Sequence, residues 1–126
     1  MTVWLTRELL LAVHDEQIAE HGGASGIRDI GLLESAIARP LNRAGYGKAD
    51  LAELGALYAL AIARNHPFVD GNKRTAFVAL ETFLVLNELQ LTAGDAEATV
   101  MMLDMASGTV SEAMFIEWVR TSVVKR

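Results

Sequence analysis

Apolar residues recur along this chain at helical spacing, and glycines, prolines and capping residues divide them into six segments. From Leu5 to Glu20, the residues Leu9, Leu10, Val13 and Ile18 supply one apolar face; Thr6 stands where an N-cap belongs, and Gly22-Gly23 stops the run. A second helix is expected after Asp29, over Gly31–Ala38, ending before Pro40 because the residue preceding a proline is driven out of helical backbone. The third, Leu51–Asn65 behind a capping Asp50, is apolar on nearly every side through Leu54, Leu57, Tyr58, Leu60 and Ile62. The fourth, Asn72–Glu88, is built the same way from Phe77, Leu80, Phe83, Leu84 and Leu86. Helices apolar all round belong inside a bundle. A fifth helix over Asp95–Ala106 and a sixth over Ser111–Val123 are marked at their entries by Gly94 and Gly108. No stretch reads as a strand, and there is no internal repeat or linker. The expectation is one all-α domain, residues 1–126, a compact six-helix bundle with a short turn joining its two central helices.

Composition narrows this little but usefully. The 126 residues are 52% apolar with two prolines, enough to bury a core and too apolar for wholesale disorder. No cysteine is present, so disulfides and thiolate metal sites are excluded and a reducing, cytoplasmic setting is expected. The N-terminal patch turns charged too soon for a signal peptide, and Glu81 and Thr82 interrupt the longest apolar run, so no membrane segment is expected. A net charge of −5 argues against nucleic-acid affinity, and no helix carries a basic reading face.

The charge is unevenly spread. Between Arg64 and Arg74 the chain reads R-N-H-P-F-V-D-G-N-K-R, a local +2 against −7 for the remainder. The turn between the central helices therefore holds a histidine (His66), a carboxylate (Asp70), a glycine (Gly71), a carboxamide (Asn72) and two cations (Lys73, Arg74). A Gly-Asn entry into a helix offers free backbone N–H groups and a positive dipole end, which together hold phosphate. Two cations in a first helical turn oppose the dipole and are disfavoured by about 0.3–1 kcal/mol each unless an anion is present. His66 is placed to take a proton from a hydroxyl beside that phosphate, so phosphoryl or nucleotidyl transfer is the chemistry these residues suit. Arg64 either satisfies carbonyls at the end of the third helix or touches the nucleotide. His14 and His21 have no partners at metal-ligand spacing and read as surface residues. G-N-K-R-T lacks the glycine five residues before Gly71 that a P-loop needs.

These residues resemble the Fic motif, H-P-F-x-[DE]-G-N-G-R, and more closely its death-on-curing (Doc) branch, which carries Lys in place of the second glycine. His66, Pro67, Phe68, Asp70, Gly71, Asn72, Lys73 and Arg74 all fit, and His21–Pro40, H-G-G-A-S-G-I-R-D-I-G-L-L-E-S-A-I-A-R-P, is similar to the N-terminal signature of that branch. The resemblance implies a toxin of a toxin–antitoxin pair that takes ATP and Mg²⁺. His66 would be the base, Asp70 the Mg²⁺ or phosphate orienter, and Gly71, Asn72, Lys73 and Arg74 the nucleotide contacts; Arg64 lies outside the motif and is a candidate nucleotide contact by its position alone. Fic enzymes mostly transfer AMP; the Lys-bearing branch resembles protein kinases, passing the γ-phosphate to a threonine of elongation factor Tu. Lys73 points to the kinase, whereas Gly71 is the Fic-like choice and keeps AMP transfer as the alternative. A catalytically weak binding module paired with an antitoxin is the other.

The self-inhibitory pattern [ST]-x-x-x-E-[GN] is absent, since no glutamate precedes Gly or Asn. The resemblance then implies a brake in trans, a cognate antitoxin whose C-terminal segment folds as a helix in a surface groove. The first, second and sixth helices carry more apolar residues (Leu9, Val13, Leu32, Leu33, Phe115, Trp118) than a bundle of this size needs inside, and some of them are expected to line that groove.

Overall fold

The computed structural model describes all residues, 1–126, and contains six helices and two short strands. The helices are α1 (Arg7–His21), α2 (Ile30–Gly45), α3 (Leu51–Asn65), α4 (Asn72–Leu86), α5 (Asp95–Ser107) and α6 (Glu112–Thr121). Their starts follow from local chemistry. Thr6, Asp29, Asp50 and Ser111 each accept a backbone N–H of the first turn, leaving one fewer orphan donor. The all-α expectation holds for the architecture, and no helix is long and apolar enough to cross a membrane.

α3 is the axis of the molecule, buried continuously from Leu54 to Ala63 and packed against α4, α2 and α6. Its Ala-rich surface lets α4 approach closely, and Phe83 of α4 meets Tyr58 of α3 with ring centroids 5.3 Å apart. The Tyr58 hydroxyl, buried in the core, accepts the Leu5 N–H at 3.1 Å and so ties the N-terminal segment to the axis. The two central helices thus form a rigid base, and the turn joining them inherits that rigidity.

Two expectations fail here. α2 does not stop before Pro40 but runs through it to Gly45. Leu33, Ala36 and Pro40 share the buried face of α2, so the ring packs into the core, and Arg43 holds the last turn through Glu53 at 2.7 Å and the Lys48 carbonyl at 3.0 Å. Tertiary packing overrides a local rule worth about 3 kcal/mol.

The second correction is a small antiparallel pair, β1 (Leu89–Leu91) with β2 (Val123–Lys125), where the sequence suggests no strand. α4 ends at Leu86, ahead of Asn87, whose side chain turns to Val3, accepting its N–H at 2.8 Å and donating to its carbonyl at 2.9 Å. Glu88 follows in left-handed backbone (φ 66°), which redirects the chain into β1.

Candidate active site

α3 ends at Asn65, and its C-cap is His66 in left-handed backbone (φ 51°, ψ 56°), a conformation costing a non-glycine residue of order 1–3 kcal/mol. Arg28 offsets that strain. Its Nε donates to the His66 carbonyl at 2.6 Å and its Nη2 to the Asn65 carbonyl at 2.8 Å, a cation on the negative end of α3. The His66 imidazole itself is exposed and has no hydrogen-bond partner within the protein, so it is free to meet a ligand.

The turn from His66 to Gly71 is held by its backbone. Pro67 offers its carbonyl to the N–H groups of Arg28 (2.7 Å) and Asp29 (3.1 Å), and the Val69 N–H donates to Gly26 at 3.1 Å. The segment after α1 therefore lies across the turn as a one-rung bridge, Ile27 opposite Phe68. Asn72 folds its carboxamide back over the turn, accepting the Phe68 N–H at 3.0 Å and donating to the Phe68 carbonyl at 2.9 Å. Its side chain is thereby committed to the loop, and only its backbone N–H remains for an anion. Phe68 is fully buried, as a plug for the loop should be.

Asp70 turns toward the segment that follows α1. Its Oδ1 accepts the Gly71 N–H at 2.8 Å and its Oδ2 the Ala24 N–H at 3.3 Å. Those two N–H groups, that of Gly71 foremost, with the Arg74 and His14 side chains behind them, hold its carboxyl below the usual carboxylate range. Gly23 makes room for it: in left-handed backbone (φ +115°), any Cβ there would stand 2.7 Å from Asp70 Oδ2. Asp70 does not cap α4. The N-cap is Gly71 (φ 74°), with no side-chain oxygen on the first-turn N–H groups. The positive end of α4 is therefore open toward any ligand.

Lys73 is exposed and makes no ion pair, while Arg74 donates one Nη2 bond to the Gly22 carbonyl at 3.1 Å and keeps its other donors free. Both line a hollow of about 340 Å³ between α1, α4 and α5, together with His21, Phe77, Met102 and Leu103. This hollow differs from the expected groove. Leu33 and Phe115 are fully buried, and Leu9, Val13, Leu32 and Trp118 are half-buried, so the apolar surplus of α1, α2 and α6 is spent largely inside.

Arg64 belongs elsewhere. Its guanidinium donates to the carbonyls of Met105 (3.1 Å) and Val110 (3.3 Å) and to Glu112 (3.1 Å), joining α3 to the α5–α6 turn. It lines no part of the hollow that holds Lys73 and Arg74.

His14 is the largest departure from expectation. It is 2% exposed, stacked on Phe68 with ring centroids 3.9 Å apart and planes 5° from parallel, and its Nε2 lies 2.8 Å from the Asp70 carbonyl oxygen. One signal was available in the sequence: His14 falls four residues after Leu10, on the face that α1 buries with Leu10 and Gln17. Arg28 and Gly23 gave no such signal, because their partners are backbone atoms and a carboxylate more than thirty residues away.

The two buried central helices are thus joined by a turn with an exposed histidine at one end and an open, cation-flanked helix N-terminus at the other, groups that suit phosphate. The Fic/DOC family profile matches residues 4–84, a span that includes the whole turn, and the chain belongs to that family. "Protein kinase doc" of Escherichia phage P1 is 35% identical over 117 residues, 92% of each chain. "Toxin Doc" of Mycolicibacterium smegmatis is 43% identical over 96 residues, 74% of this chain and 71% of that one.

Proposed function

We propose that this chain is the toxin of a toxin–antitoxin pair and acts as a protein kinase, transferring the γ-phosphate of ATP to a threonine or serine hydroxyl, with elongation factor Tu as the target. The observation that carries the reading is the pairing, on one rigid turn, of an unengaged His66 with the uncapped N-terminus of α4 beside Lys73 and Arg74. Similarity to a protein kinase and a toxin over most of the chain supports it.

In this mechanism the acceptor hydroxyl loses its proton to His66. Its oxygen attacks the γ-phosphorus, and the bond from that phosphorus to the β,γ-bridging oxygen breaks, releasing ADP. Negative charge on the transferring group is met by the first-turn N–H groups of α4 and by Lys73 and Arg74. Asp70 fits one position in a Mg²⁺–phosphate shell: it is exposed, held ionised, and each oxygen keeps a lone pair beyond its single N–H bond. Bound there, Mg²⁺ would neutralise phosphate charge. No cluster of three or more His, Cys, Asp or Glu side chains converges in the molecule, so the remaining ligands come from the nucleotide and water.

A cognate antitoxin is the partner this reading requires, since the chain has no inhibitory glutamate motif of its own. The apolar wall of the hollow (Phe77, Val78, Met102, Leu103) suits the apolar face of an antitoxin helix, and His21, Lys73 and Arg74 suit its acidic residues.

Incubation with γ-labelled and, separately, α-labelled ATP plus elongation factor Tu tests the reading. Label from the γ position alone is expected on the acceptor. Label from the α position would make the protein an AMP transferase, the second reading that Gly71 favours, and no label from either would leave a binding module.

A further inference from the structure

We infer that His14 is a positioning residue: its Nε2–H fixes the Asp70–Gly71 peptide and so sets the placement of the Asp70 carboxylate and the mouth of α4. The inference rests on the proposed catalytic role of the 66–71 turn and adds a residue of α1 to it.

A carbonyl oxygen can only accept, so at 2.8 Å from the Asp70 oxygen the imidazole Nε2 must carry the proton. A buried donor is expensive to leave unpaired, which makes this bond a strong constraint on the peptide it grips. The ring cannot swing away. Phe68 covers one face at 3.9 Å, and Phe68 is itself tied at both backbone polar groups by Asn72.

The gripped peptide is the pivotal one. Its carbonyl belongs to Asp70 and its N–H to Gly71, and that N–H bonds the Asp70 Oδ1 at 2.8 Å. Turning the plane would move the carboxylate and the N-cap of α4 together. Gly71 also leaves no slack, since even a Cβ there would meet Ile18 Cδ1 at 3.1 Å and lie 3.9 Å from His14 Cδ2. His14 touches no position a substrate can reach, being 2% exposed, so its effect on transfer must act through the loop.

Gln and Leu substitutions separate this from a packing role. Gln carries an amide N–H at nearly the reach of Nε2, whereas Leu fills the space without a donor; Met serves as the donor-free variant should Leu not fold. His14→Gln is expected to keep kcat for γ-phosphate transfer within about threefold of wild type. His14→Leu is expected to lose about 10–100-fold in kcat, the scale of an ångström-level misplacement, with the KM for ATP changed less than threefold. In ¹H–¹⁵N NMR spectra the Gly71 amide resonance should stay in place in the Gln variant and move in the Leu variant, while the resonances of Leu60 and Ile62 in α3 stay put in both. Equal loss in Gln and Leu, or an unmoved Gly71 resonance in Leu, would overturn the inference. The NMR arm needs no transfer: wild-type protein that labels no acceptor would refute the proposed kinase, and the Gly71 resonance would still decide the role of His14.

Discussion

Arg64→Met is the most informative single substitution, because it separates a ligand-facing arginine from a structural one. Methionine keeps the length and apolar stem of the side chain but removes charge-assisted bonds to Glu112 and to the carbonyls of Met105 and Val110. Fully buried, such a loss would approach 3–5 kcal/mol. Here Arg64 is 31% exposed and Glu112 40%, so water takes over part of the bonding and the cost falls to about 2–3 kcal/mol. With about 2.1 cal/mol/K of unfolding entropy per residue, a chain of 126 residues then melts about 8–11 °C lower. Differential scanning calorimetry measures that shift, and steady-state kinetics well below the melting point should give a KM for ATP within twofold of wild type. The same cluster sets a pH dependence. Arg39 first, and Arg64 with it, hold the Glu112 carboxyl below its usual range. A depressed carboxyl stabilises the fold above its unfolded value, about 4.3, and loses that contribution as pH falls through its lower folded value. The gap in melting temperature between wild type and Arg64→Met should therefore be full at pH 7 and narrow below pH 4. A melting point within 2 °C of wild type combined with a tenfold rise in KM would refute this reasoning and return Arg64 to the nucleotide.

His66→Ala should abolish transfer and growth arrest together while melting within a few degrees of wild type, because the imidazole is exposed and unbonded; toxicity retained at equal expression would remove it from the chemistry. Lys73→Gly should lose at least tenfold in γ-phosphate transfer, and unchanged transfer would make the lysine incidental. Leu103→Asp, at a residue half exposed on the rim of the hollow, should weaken antitoxin binding at least tenfold by calorimetry and leave transfer within twofold. Antitoxin affinity that ignores Leu103 and Phe77 would remove that wall as its seat.

Legibility in the sequence follows the range of the interactions. α3 was readable to the residue because both of its signals are local: Asp50 caps the first turn, and a run of apolar residues sits in a single segment. For α2 the sequence predicts too early an end, because the stop signal of Pro40 is local whereas its compensation, burial beside Leu33 and Ala36, is tertiary. The strand pair was invisible for the same reason. Three-residue strands show no periodicity, and Leu89 meets Lys125 across a sequence gap no local pattern spans. Of the apolar residues expected to be in excess on α1, α2 and α6, Leu33 and Phe115 are wholly inside, and how far the others are covered depends on neighbouring helices that no local pattern specifies.

Within the turn, the division runs between residues marked by their type and spacing and residues marked only by distant partners. His66, Asp70, Lys73 and Arg74 stand out in the sequence because a histidine, a carboxylate and two cations crowd one short turn, more ionisable groups than capping a helix requires. His14, Arg28 and Gly23 act on a carbonyl, a left-handed cap and a carboxylate, and nothing in residue type announces that. Yet these are the groups that determine where the legible ones stand. The turn leaves little of its geometry to chance: Asn72 pairs both polar groups of Phe68, Pro67 accepts twice, and His66 and Asp70 each have a carbonyl gripped by a charged or buried donor. A left-handed histidine at the end of α3 persists because those bonds outweigh its strain. It follows that substitutions at Arg28 should resemble substitutions at His66 in activity while differing from them in melting. Arg28→Met frees two carbonyls at a helix end and should lower both kcat and stability, whereas Arg28→Lys, which keeps the charge but not the two-pronged donor, should recover more stability than activity. Full recovery of both by lysine would show that charge at the α3 terminus, and not the grip on His66, is what Arg28 provides.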